Sequence, residues 1–187
     1  GLPAWMQAGR LWLQLEVAQW LGVPMQAAQA AQVQQALALL DADPNRRTGN
    51  LVRGLRFATP AATLAQADTL LAAALNMELF GLAAALHMHH ARAALAVQRP
   101  AEAALAARAL LRLLHDGQVP DFVYTPEAWL VAAQALQAAG DSGAACSALA
   151  AGRHWVQAVA LPQVPAPFVD SFLHRNPINR TLLLTLP

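Results

Sequence analysis

Apolar residues recur at intervals of three and four along almost the whole chain, and alternation of β-branched or aromatic residues with polar ones is nearly absent. That period puts apolar side chains on one face of a helix and leaves nothing that reads as a strand, so an all-α fold is predicted. Ala and Leu supply about two-fifths of the 187 residues and only 12% are charged, which excludes a disordered or disulfide-built chain. Proline and glycine set the breaks. Helices are expected near 4–21, 24–40, 47–58, 60–75, 77–97, 100–115, 126–139, 143–160, 167–174 and 177–186. Thr59-Pro60, Thr125-Pro126 and Asn176-Pro177 each put a capping side chain before a proline at the first helical position. Gly117 and Gly140-Asp141 read as stops. Residues 41–49 are the least helical stretch, with turn chemistry and no apolar period.

Chemistry-bearing residues are sparse. All 12 basic residues are arginine, so Schiff-base chemistry and a phosphate-loop lysine are out within this chain. The serines Ser142, Ser147 and Ser171 sit in no strand-to-helix elbow, and Cys146 and His154 are too far apart on one helix to pair. His87, Met88, His89 and His90 are the one ligand-like cluster, but no Cys, Asp or Glu joins them at metal-ligand spacing. Glu16, Glu78, Glu102 and Glu127 fall on separate helices. No enzyme, metal or cofactor is therefore expected. The tryptophans Trp5, Trp12, Trp20, Trp129 and Trp155 are expected to fill gaps left between Ala-rich helices, and Arg108, Arg112 and His115 to form a solvated face at a helix end. A near-balance of arginines and acids, without a long basic block, argues against nucleic acid. The run 70–86 is broken by Asn76 and Glu78, so no membrane span is expected. The single Cys146 favours the cytoplasm, and the opening Gly1-Leu2-Pro3 reads as part of a longer protein.

In the segment 128–152, Trp129, Ala132, Ala133, Leu136 and Ala145 stand in register with Gly140-Asp141 between two helices. This looks like a tetratricopeptide repeat, in which small residues let paired helices approach while bulky ones fill the gaps beside them. A similar register is found at Trp5, Ala8, Gly9 and Trp12, at Gly54 and Phe57, and at Ala91, Ala94, Pro100 and Ala103, with spacings longer than the usual period of about 34 residues. The tail, with Pro167-Phe168, Asp170-Ser171-Phe172-Leu173 and Arg175-Asn176-Pro177-Ile178-Asn179-Arg180, is similar to the end of helical-repeat regions at the C-terminus of large bacterial signalling proteins. Those proteins join such a region to an ATPase, kinase or transcription-regulator module.

The resemblance implies stacked antiparallel helical hairpins, a right-handed tetratricopeptide-like array over 1–160, closed by capping helices over 161–187. It also implies a non-catalytic interaction or regulatory module of a bacterial signalling or transcription-regulatory protein. The partner would be a protein, a peptide or another domain of the same protein. The alternative is a sensor enclosing a small apolar ligand between helices. The N-terminal end, around Trp5 and Trp12, is expected to be covered by another part of the protein or to self-associate. In such hairpins the first helix lines the inner surface, which selects Met6 and Arg10, Leu51 and Leu55, Met88 and Arg92, and Leu130 and Gln134. An apolar stripe flanked by two arginines suits an apolar segment carrying an acidic group. Arg92→Ala is then expected to weaken binding and leave thermal stability almost unchanged.

Overall fold

The computed structural model describes residues 3–20, 31–33, 35, 36, 38 and 44–184. Among them every regular element is a helix and no strand occurs. The chain forms two compact units, residues 1–59 and 60–187.

In the first unit, α1 (Ala4–Trp20) and α2 (Pro44–Gly54) flank helical residues in the interval 31–38, and a 3₁₀ turn, Leu55–Phe57, follows α2. Ala8, Trp12 and Leu15 recur at four and three residues on α1 and form the core with Val33 and Ala36. The Trp12 ring stacks on Phe57 with centroids 5.7 Å apart. Arg53 packs over Trp12, its guanidinium 5.4 Å from the ring centre and its Nε donating to Glu16 at 2.8 Å. Three expectations change here. Residues 44–49 are helical, because Pro44 serves as a first helical residue and removes only an N–H that had no partner; 41–43 lie outside the described residues. Trp12 is buried, so it does not make the N-terminal end sticky, and the side chain of Trp5 lies outside the described residues. Gly54 ends α2 rather than sitting within it.

The second unit begins with α3 (Pro60–Asn76), α4 (Phe80–Ala96), α5 (Pro100–His115), α6 (Thr125–Ala138) and α7 (Ser142–His154). A π-helical stretch, Trp155–Ala160, and short turns at Leu161–Gln163, Ala166–Phe168 and Ser171–Arg175 lead to α8 (Pro177–Leu184). Consecutive helices from α3 to α7 pack on one another, α4 also packs on α6, and α8 lies on α6 and α7. Alanine makes this possible. Ala84, Ala91 and Ala94 of α4, Ala103 and Ala107 of α5, and Ala132 and Ala135 of α6 are buried, leaving Met88, Leu110, Trp129 and Leu136 to fill the space between backbones. Asp141 caps α7 by accepting from the Ala144 N–H at 3.3 Å.

The tail closes on polar bonds. The Asn176 side chain accepts from the Ile178 and Asn179 N–H groups, at 3.0 and 3.2 Å, as the Asn-Pro pair predicts. Asn179 is fully buried; its amide accepts from the Tyr124 hydroxyl at 2.8 Å and donates to the Phe172 carbonyl at 2.9 Å. Thr125 does not cap as expected. It is the first residue of α6 and buried, and Tyr124 occupies the cap position without a side-chain bond.

Candidate interaction surface

The eight residues selected from the repeat register divide between the two units. Met6, Arg10, Leu51 and Leu55 belong to the first unit, and Met88, Arg92, Leu130 and Gln134 to the second. Met88 is sealed in the core between α4 and its neighbours, and Leu55 is buried in the 3₁₀ turn after α2. Neither can touch a partner in this arrangement, because neighbouring side chains cover both. Leu51 and Leu55 also fail to share one α-helical face, since the helix tightens between them. Met6 and Arg10 are exposed on α1. Arg10 lines a half-open hollow of about 310 Å³ with Gln7, Leu11 and Gln35.

In the second unit the register brings a coherent group together. α6 carries Glu127, Leu130 and Gln134 three and four residues apart, so they share a face; Glu127 is buried, Leu130 half-buried and Gln134 exposed. Glu127 also stands in the first turn of α6, where the helix dipole favours a carboxylate. The packing of α4 on α6 sets Arg92 against it, with Nη1 donating to Glu127 Oε1 at 3.4 Å and Nη2 to His89 Nδ1 at 2.9 Å. His89 is buried on the same helix, and its accepting Nδ1 places the ring proton on Nε2. Arg92 is thus a half-exposed guanidinium held between a buried acid and a buried imidazole. This bears on its variant: Arg92→Ala would take one partner from the buried Glu127 and cost stability, contrary to the expectation from sequence.

The histidine cluster splits across α4. His90 pairs with Glu102 of α5 at 2.8 Å, and Arg99 reaches the same carboxylate at 3.3 Å. These contacts, the His90 bond foremost, hold the Glu102 carboxyl below the usual range. His87 has its pKa lowered to about 4 by burial first, then by the charges of His90 and Arg112. Among the described residues no group of three or more His, Cys, Asp or Glu stands close enough to hold a metal ion. The expected solvated face of α5 is exposed at Arg108, Arg112 and His115, with Arg108 pairing with Asp141 at 2.8 Å and His115 lying against the Trp129 ring at 5.4 Å.

The sequence named Arg92, Leu130 and Gln134 but missed the Glu127–Arg92–His89 group. His89 and Arg92 lie three apart on α4 and were open to pairing, whereas nothing in the sequence brings Glu127, 35 residues further on, to the same place. Compared with protein-family models, with curated proteins and with solved structures, the chain shows no match to any of the three.

Proposed function

We propose that this chain is a non-catalytic protein-interaction module, a tetratricopeptide-like array of stacked hairpins that receives a partner segment along the α4–α6 face. The observation that carries the reading is the packing of α4 on α6 across the intervening α5. First helices of successive hairpins then lie side by side and form a continuous inner surface. Along it run Arg92, Leu130 and Gln134, with Glu127 beneath the guanidinium. A partner carboxylate would join Glu127 on the Arg92 fork, and an apolar side chain would cover Leu130.

The tail motif supports placing the module in a bacterial signalling or transcription-regulatory protein that works in the cytoplasm. Among the described residues no helix is long and apolar enough to cross a membrane. Selection from a random peptide library tests the proposal. Enriched peptides should carry a carboxylate beside an apolar residue, and Leu130→Ser with Gln134→Lys should weaken them about tenfold, equal to about 1.4 kcal/mol, with little change in melting temperature. Selection of no such peptides, or equal binding to the double variant, would overturn it.

A further inference from the structure

A second surface, at the opposite end of α4 from Arg92, goes beyond this reading and does not depend on it. The loop 116–124 meets the first turn of α4 at Gly81, just after the loop 77–79. The Asp121 N–H donates to the Gly81 carbonyl at 3.1 Å, and a Cβ on Gly81 would stand 2.8 Å from both the Asp121 carboxylate and the Val119 carbonyl. Glycine is what allows this approach. The loops so joined expose large apolar side chains: Phe80 is 40% accessible, Phe122 49% and Val119 63%. Phe122 is held at φ 57°, a left-handed conformation that costs a bulky residue strain and is here combined with an exposed ring. Neither strain nor exposure helps folding.

Charge says what would cover this patch. Glu16, Glu102, Glu127, Asp141 and Asp170 each pair with a cationic side chain. Among the described acids Asp68, Glu78, Asp116 and Asp121 do not, and the last three lie in these two loops. In the adjacent last turn of α5, His115 lies against Trp129. We propose that the joined loops dock a basic amphipathic helix of a partner protein, with Phe80, Val119 and Phe122 taking its apolar side chains and Glu78, Asp116 and Asp121 its arginines or lysines. An anionic membrane surface is disfavoured by the same three carboxylates. A twofold contact between two copies of the patch would set them against each other. Partial desolvation pushes the Asp121 carboxyl above its usual range, an effect that an incoming cation would reverse.

The test is titration of the whole chain with a synthetic amphipathic helix of leucines and arginines, and with its mate in which glutamates replace the arginines. The arginine peptide should bind and the glutamate peptide should not. Phe122→Ser, Val119→Ser and Asp121→Asn should each weaken binding about tenfold. Asp68→Asn, an unpaired acid elsewhere, and Leu130→Ser on the α4–α6 face should leave it unchanged. Asp121→Asn should also raise the melting temperature slightly while binding falls, a combination that a purely structural residue would not give. Equal binding of the two peptides, or no response to the loop variants, would overturn the proposal. It would also fall if the chain instead bound phosphatidylserine vesicles, or formed concentration-dependent oligomers that Phe122→Ser dissolves.

Discussion

At the scale of single residues, the second unit depends on a few positions where chemistry and space leave no latitude. Gly152 of α7 faces α6 and α8 so closely that a Cβ would sit 2.8 Å from the Trp129 Cβ and 3.2 Å from a Leu182 methyl. Gly152→Ala is expected to cost about 1–3 kcal/mol through overpacking, despite the better helix propensity of alanine, and a denaturant titration would show it as a lower midpoint. Asn179 bonds Tyr124 and Phe172 from a fully buried site. Asn179→Ala should cost about 2–4 kcal/mol because two half-buried partners lose their bonds. In a double-mutant cycle with Tyr124→Phe the losses should be less than additive. His87 gives the fold an acid sensitivity. An unfolded ring gains its proton near pH 6.5 and the folded ring only near 4, so between those values the unfolded state binds more protons and stability falls as pH drops. The full span is worth about 3 kcal/mol, and the depressed Glu102 carboxyl adds to the loss at the lower end. Urea midpoints should decline from pH 6.5 toward 4, and His87→Gln should flatten the decline.

At the scale of elements, one turn recurs. After α3, α4, α5 and α6 the chain ends its helix with the same pair of bonds, as in Leu79 N–H to Ala74 O with Glu78 N–H to Leu75 O, and Arg99 N–H to Ala94 O with Gln98 N–H to Leu95 O. The residue in the left-handed position is Glu78 (φ 56°), Gln98 (φ 60°), Gly117 (φ 80°) or Gly140 (φ 82°). The two glycines were legible in the sequence as stops. Glu78 and Gln98 were not, because no local chemistry marks them; packing of the flanking helices imposes the conformation. Gln98→Gly should therefore stabilise the chain by about 1 kcal/mol, readable as a raised melting temperature. Proline marked the helix starts better than the residue before it did. Pro60, Pro100, Pro126 and Pro177 all lie in a first turn, whereas of the proposed caps Asn176 bonds as expected and Thr125 does not.

At the scale of the whole molecule, the second unit holds a core of its own, from α3 through α8. Residues 60–187 expressed alone should keep a helical circular dichroism spectrum and a cooperative melt; a broad, non-cooperative transition would show that the unit depends on the first. Helix content, most boundaries and the burial of Trp129 followed from the sequence, since a period of three to four residues and the conformational limits of proline are local properties that hold in any context. The candidate face was half legible. Leu130 and Gln134 stay accessible because helical spacing fixes their shared side, whereas Met88, drawn from the same rule, is sealed because α4 packs on several neighbours at once. Which polar groups meet was decided only in three dimensions. Arg92 with Glu127, Arg108 with Asp141 and Tyr124 with Asn179 join positions 35, 33 and 55 residues apart. So was the approach of Val119 and the Asp121 carboxylate to Gly81. A sequence repeats its local preferences, but electrostatic partners are chosen by the approach of distant backbones, and here small residues such as Gly81 and Gly152 set how close that approach is.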